Sequence, residues 1–265
     1  MADDPCGELR RLLRLSRGLR LRRRLGQHIM RECKVGTDFM RVIRGLGPRA
    51  VVEVGAGPGT LTLFLVRSCE RVLSIEIDSL FVPYLAPLAK RYLLEVVLGD
   101  AIDLVPSIRG ADVLVSNTPY NISSQLLVAF VKNPSLTAAV MTLQKDLVDR
   151  LLAPAGSKRY GRIAAFVRTF AVIERVTDYP PSYFVPEPEV WSSLVVLKKV
   201  ADWGEGWARY EDMLRCLFNQ RRRVLRTVAR RCGLVVPADL LNKRVYELGP
   251  EEFVRIYRLN YSGGP

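Results

Sequence analysis

From Ala50 to about Val200, short β-branched runs alternate with longer amphipathic segments, and no other feature restricts the fold as tightly. The pattern is that of βαβ units, a largely parallel sheet with helices on both faces. Strands are expected at 50–55 (AVVEVG), 71–77 (RVLSIEI), 94–100 (LEVVLGD), 112–117 (DVLVSN) and 138–144 (AAVMTLQ), with helices through 60–69 and 146–153. Two further strand-like stretches, 171–180 and 192–199, flank the loop PPSYFVPEPEVW, whose four prolines exclude a central strand or a helix interior. They suggest a late hairpin at the sheet edge. The stretch ADWGEGW (201–207) breaks the pattern, and residues 205–260 read as helical. A main domain over 1–200, opened by a basic extension over 1–25, and a small helical domain over 201–265 are therefore expected.

The chain has 265 residues, 49% of them hydrophobic, which is enough for a full core. Its net charge of +13 favours a polyanionic partner without separating nucleic acid from an anionic membrane surface. No apolar stretch approaches the roughly 20 residues that span a bilayer. Asp3, Asp4 and Glu8 argue against reading the arginine-rich start as a transit peptide, so a cytoplasmic protein is expected. Cys6, Cys33, Cys69, Cys216 and Cys232 are odd in number and widely spaced, and the expectation is reduced thiols with neither a disulfide framework nor a metal site.

The stretch VVEVGAGPGT follows a strand and opens a helix, with Gly55, Gly57 and Gly59 spaced G-x-G-x-G. Thr60 stands where a dinucleotide fingerprint needs its third glycine, and nothing basic awaits a pyrophosphate. Glu76 ends the second strand, where an acid can accept both hydroxyls of a ribose, and Asp100 ends the third, placed for the exocyclic amine of an adenine. Each acid alone reads equally as a helix cap or a solvated side chain. Together at consecutive strand ends they suit a nucleoside carrying a sulfonium, with S-adenosylmethionine the natural candidate.

The fourth strand ends in Asn117, Thr118, Pro119 and Tyr120. An adenine amine is a poor nucleophile because its lone pair is delocalised into the ring. The side-chain oxygen of Asn117 and the backbone carbonyl of Thr118 can each accept one N–H and return that pair to nitrogen. Pro119 sets the backbone, and Tyr120 offers a face to a base flipped from its stack. Phe184, in the proline-rich loop, is the candidate for a second face. Standing alone, this stretch would read equally as an Asn-x-Pro turn closed by a packed tyrosine.

Taken in order, LGQHIM, EVGAGPGTLT, IEID, GDAID, NTPYNISS, QKDLVDRLLAPAGSKRYGR and FVPEPEVWSS resemble the ribosomal RNA adenine dimethyltransferases. The resemblance implies a Rossmann-like, seven-stranded class I methyltransferase sheet with a small helical C-terminal domain. It also implies N6,N6-dimethylation of two adjacent adenines in the 3′-terminal hairpin loop of small-subunit RNA, and a monomer acting on that RNA or its precursor particle. Carried over by position, Gln27, His28, Met30, Gly55, Gly57, Gly59, Glu76, Ile77, Asp100, Ala101 and Asn117 would surround S-adenosylmethionine. Asn117, Thr118, Pro119, Tyr120 and Phe184 would hold the adenine. The family usually carries Leu or Ile at the position of Thr118 and an aromatic at that of Ile29. His28, the single histidine, reads as a ring packed on cofactor or backbone, since the chemistry needs no general base.

For the RNA, Arg22, Arg23 and Arg24, the basic loop with Lys158, Arg159 and Arg162, and Arg221, Arg222, Arg223 and Arg226 are candidates. Read as one helix, 213–231 places apolar residues on one face, with Arg215, Arg222, Arg226 and Arg230 on another; a merely solvated face is the plainer alternative. Two competing functions share the motifs: a non-catalytic ribosome-assembly or RNA-binding factor, and a large-subunit RNA methyltransferase of the macrolide-resistance type. Intact Glu76, Asp100, Asn117, Pro119 and Tyr120 speak against the first.

Overall fold

The structure is a computed structural model that describes residues 4–16, 18, 19, 21, 22 and 25–261. The strands are β1 (Ile29–Met30), β2 (Ala50–Val54), β3 (Arg71–Glu76), β4 (Leu94–Leu98), β5 (Val113–Asn117), β6 (Ala138–Gln144), β7 (Ala171–Tyr179), β8 (Phe184–Val185) and β9 (Ser192–Lys199). Seven of them form one sheet in the order β4-β3-β2-β5-β6-β9-β7, and β1 pairs antiparallel with β8 in a small ribbon. The pairs from β4 through β6 are parallel. The two late segments flank the proline loop and lie side by side at one edge of the sheet, as the expected hairpin, with β9 against β6 and β7 outermost.

Central β2 is buried along its whole length, as a parallel strand covered on both faces must be. Each buried Val there, Val51, Val52 and Val54, contributes about 1.5–3 kcal/mol. The exception is Glu53, fully buried in that strand and held at Oε2 by the hydroxyls of Ser74 (2.5 Å) and Thr62 (2.7 Å). Burial pushes its carboxyl up to about 7 despite those hydrogen bonds.

Helix α1 (Pro5–Leu15) is capped by Asp4, which accepts from Cys6 N, and α2 (Cys33–Leu46) buries Val35, Phe39 and Ile43 at helical spacing. Asp38 lies on that buried face, satisfied by Lys34 (2.8 Å), Arg41 (3.1 Å) and the Tyr179 hydroxyl (3.0 Å). The basic extension is thus partly an ordered helix. Leu9 is buried, and Glu8 pairs with Arg67 (3.0 Å) and Arg91 (3.3 Å). The helix expected over 60–69 shrinks to α3 (Thr62–Leu65), because the side chains of Ser68 and Cys69 bond back to carbonyls of the preceding turn.

The helices α4 (Val82–Ala89), α5 (Ala101–Leu104) and α6 (Ser123–Lys132) follow β3, β4 and β5, while α7 (Lys145–Leu152) and α8 (Arg162–Phe170) lie between β6 and β7. The remaining helices are α9 (Tyr210–Phe218), α10 (Leu225–Arg231) and α11 (Pro250–Asn260). By packing, the chain divides into one unit of Met1–Lys145 with Glu174–Leu197 and another of Asp146–Ile173 with Lys198–Pro265. The second unit therefore takes in α8 and most of α7, which a boundary at residue 200 would assign to the first. Its core is aromatic: Phe170 meets Trp203, Trp207 and Tyr210 edge-on, and Trp207 stacks on Tyr257.

Two expectations require correction. The cysteines are not all free thiols: Cys6 is joined to Cys33 and Cys216 to Cys232, with Cα separations of 5.4 and 6.1 Å, and only Cys69 is unpaired. Packing of one helix on another brings together residues 27 and 16 positions apart, which spacing alone does not reveal. The single helix expected over 213–231 is two, α9 and α10. The backbone between them is drawn out of helix by 243–246, where Leu225 N bonds Lys243 O, Val245 N bonds Arg223 O and Tyr246 N bonds Arg221 O.

Candidate active site

A cavity of about 190 Å³ opens at the carboxyl ends of β2, β3, β4 and β5, where ligands of open α/β sheets collect. The turn after β2 forms one wall. Gly55 and Gly57 sit at φ of +74° and +55°, conformations that side chains with a Cβ rarely adopt, and the space beside Gly57 is open. Gly59 plays a different part. It does not line the cavity, and a Cβ there would stand 3.1 Å from Leu85 and 3.3 Å from Leu88, so its bare backbone allows packing against α4.

Glu76 closes the site at the end of β3. Its Oε2 accepts from Gly57 N at 2.7 Å and its Oε1 from Asp78 N at 2.8 Å, which locks the glycine turn to the neighbouring strand. Burial raises its pKa against the pull of those N–H groups. Each oxygen keeps a lone pair for a ligand hydroxyl. Asp100 caps α5 through Oδ1, accepting from Ile102 N at 2.8 Å, and is exposed at the cavity rim beside Ala101. Ile77 lines the same cavity and is 52% exposed, an apolar surface of the kind a purine ring covers.

Asn117 is fixed at both ends of its amide. Its Nδ2 donates to the His28 carbonyl and its Oδ1 accepts from Thr142 Oγ1, each at 2.7 Å. These partners set the amide so that Oδ1 retains one lone pair. Thr118 is buried and its hydroxyl reaches the Ser116 carbonyl at 3.5 Å, so the polar side chain at this position is contained within the strand end. Tyr120 bonds Ser192 Oγ at 2.6 Å through its hydroxyl, and its ring lies 5.1 Å from that of His28 at 33°. Burial raises its phenol pKa. The His28 ring in turn bonds the Pro186 carbonyl through Nδ1 at 2.7 Å, a packed and tethered ring.

Gln27, His28, Gly55, Gly57, Glu76, Ile77, Asp100, Ala101, Asn117 and Pro119 all line the cavity. Others do not. Met30 is fully buried in the core, and Phe184 is 1% exposed with its ring against Tyr179, so in this conformation it presents no open face to a base. Ile29 lines the cavity where an aromatic is usual, paired with Val185 across the β1–β8 ribbon. Thr142, Ser192 and the His28 carbonyl, which orient the catalytic candidates, were not picked out from sequence; their only signal is tertiary. Phe81 and Ile122, also in the lining, had none at all.

Among the basic candidates, Arg22 pairs with buried Asp78 at 3.5 Å, Arg159 with Asp149 at 2.9 Å and Arg162 with Glu211 at 3.9 Å. Arg221 donates to the carbonyls of Tyr160 (2.7 Å) and Lys158 (3.1 Å), so it braces the second unit. Lys158, Arg222, Arg223 and Arg226 are exposed. Arg215 answers to Glu211 and Asp212 on α9, which removes it from the expected arginine stripe. Arg23 and Arg24 lie outside the described residues. Among the described residues no cluster of His, Cys, Asp or Glu could hold a metal ion, and no helix is long and apolar enough to cross a membrane.

A mostly parallel sheet in this order, with a glycine turn and two acids at successive strand ends, defines a class I methyltransferase. A dimethyladenosine transferase from Plasmodium falciparum has the same fold, with a TM-score of 0.73 at 24% identity over 88% of this chain and all of that one. The profile of the ribosomal RNA adenine dimethylase family matches residues 18–252, and the chain belongs to that family. A probable ribosomal RNA small subunit methyltransferase A of Pyrobaculum aerophilum is 35% identical over 89% of this chain and 97% of its own length. A ribosomal RNA small subunit methyltransferase A of Caulobacter vibrioides is 36% identical over 80% and 85%. The protein is thus an rRNA adenine dimethyltransferase.

Proposed function

We propose that the chain transfers methyl groups to N6 of two adjacent adenines in the 3′-terminal hairpin loop of small-subunit rRNA, twice at each, within an assembling particle. It acts as a cytoplasmic monomer in this reading. One observation carries it: the Asn117 amide, oriented by Thr142 and His28, stands in the wall of the same cavity as Glu76 and Asp100. The residues suit S-adenosylmethionine, since the two acids can receive ribose hydroxyls and an adenine amine while the open side of Gly57 admits the ligand against backbone. When bound, that cofactor supplies an electrophilic methyl on a sulfonium.

The remaining chemistry belongs to the protein. The free lone pair of Asn117 Oδ1 and the Thr118 carbonyl accept the two N–H bonds of the target amine, which localises its own lone pair on nitrogen. Tyr120 supports the flipped ring, held in place by Ser192 and by the neighbouring His28. The extra proton passes to solvent water after nitrogen has become cationic, so no carboxylate base is required. Lys158, Arg222, Arg223 and Arg226 meet phosphates, and the arginines already paired to acids or carbonyls contribute less. Incubation with radiolabelled cofactor and under-methylated small subunits, followed by mapping of the modified nucleotides, tests this. Label on two adjacent adenines of the 3′ hairpin supports the assignment; label in large-subunit RNA, or none, defeats it.

A further inference from the structure

Trp191 stands apart from every other aromatic residue of the protein. It is 49% exposed, while each remaining Phe, Tyr and Trp among the described residues is buried or half-buried. Burying an indole is favourable and leaving one in water forgoes that gain. Trp191 immediately precedes β9, and its carbonyl accepts from the backbone N of Lys145, the residue that follows β6. The start of β9 therefore lies at the carboxyl end of β6, on the sheet edge that carries the site. Asn117 and Thr142 are partners in register at that edge, and β6 lies on the side of β5 away from the cofactor strands β2, β3 and β4. The next residue, Ser192, holds the Tyr120 hydroxyl at 2.6 Å. Adjacent Cα atoms are about 3.8 Å apart, so the Trp191 Cα is within roughly 9 Å of that hydroxyl.

From this placement we infer that Trp191 is a stacking platform for an unpaired nucleobase that flanks the target adenine, a positioning residue for the substrate strand. The inference rests on the rRNA reading above. Bases repeat every ~3.4 Å along a strand, so the base concerned is one to three nucleotides from the one held at Tyr120. A chain of net charge +13 draws the strand in, and an indole then adds grip that is indifferent to base identity. Val185 and Val190, 40% and 39% exposed, belong to the same proline-rich stretch. Neither Trp191 nor these valines line the cavity, so cofactor binding does not depend on them.

The test is steady-state and single-turnover methylation of under-methylated small subunits by wild type, Trp191→Ala, Trp191→Phe and Trp191→Leu, with cofactor affinity measured by calorimetry. Trp191→Ala should raise KM for the particle about tenfold with kcat changed less than twofold and cofactor affinity unaltered. Trp191→Phe should restore most of the loss, and Trp191→Leu, apolar but without a π face, should not. Tryptophan emission should change when an unpaired oligonucleotide spanning the target is added to wild type, and this response should vanish in Trp191→Phe. Unchanged KM in Trp191→Ala, or full rescue by leucine, overturns the inference. If Trp191→Ala does not fold, the phenylalanine and leucine variants decide between the two outcomes. An inactive wild type would instead defeat the functional reading on which the inference stands.

Discussion

At the end of β3 in the first unit a carboxylate is taken out of water and held by backbone N–H groups, Glu76 by Gly57 and Asp78. In the turn between α9 and α10 of the second unit the arrangement is reversed: the guanidinium groups of Arg222 and Arg223 stand in solvent, and it is the backbone that is held, by residues 243–246. Buried polar groups act at low effective dielectric and with fixed partners, so removing one changes an energy by several kcal/mol. Exposed cations are screened by salt and act additively on a polyanion. On the proposed function, the first region serves chemistry at one atom and the second grip along a chain.

The contrast can be broken at four places. The largest effect is expected for Asn117→Ala, which removes the acceptor in the cavity wall; methyl transfer in single-turnover assays should fall ~100- to 1000-fold, while calorimetric cofactor affinity changes far less. Near-normal transfer would end the amine-polarising role of Asn117.

Next is Glu53→Gln. The Glu53 carboxyl rises from 4.5 to about 7 on folding, so the folded protein keeps a proton that the unfolded chain releases within that window. This contribution to stability is complete below pH 4.5, declines as pH rises toward 7 and is absent above it, by up to about 3 kcal/mol at ~1.4 kcal/mol per pKa unit. Melting temperatures across this range should flatten in the variant relative to wild type; parallel curves would show that Glu53 is not the group responsible.

Third, Arg221→Ala leaves the carbonyls of Tyr160 and Lys158 without their charged donor and should lower stability by about 2 kcal/mol in urea titrations, whereas Arg222→Ala, its exposed neighbour, should change it by less than ~0.5 kcal/mol. Equal effects would erase the distinction between bracing and binding arginines. The smallest change at physiological salt is expected for Arg222→Glu with Arg226→Glu. RNA affinity should drop several-fold and the slope of its logarithm against log salt should become shallower by about 2. An unchanged slope would remove this surface from the RNA path.

How much of this could be read from the chain follows from the range of the forces involved. The five parallel strands, the turn at Gly55 and Gly57 and the strand-end positions of Glu76, Asp100 and Asn117 were legible, because periodicity, positive φ and strand termination are properties of a few consecutive residues. The division of 213–231 was not. Its apolar spacing is compatible with one continuous helix, and only the pairing of 221–225 with 243–246 pulls it apart. Phe184 shows the same limit from another side: its place beside the motif suits a base clamp, and only the tertiary structure shows its ring packed on Tyr179 in the core.

The sequence by itself therefore determined the parallel strands of the sheet, the end of it where the cavity opens and the chemical groups offered there, since each is encoded locally. Tertiary structure alone decided which cysteines pair, which arginines remain available to a phosphate and which partners aim the Asn117 amide, because those depend on residues up to 89 positions away meeting across packed elements. A contact of that kind has no local signature; it exists only once the hydrophobic surfaces between its partners have closed.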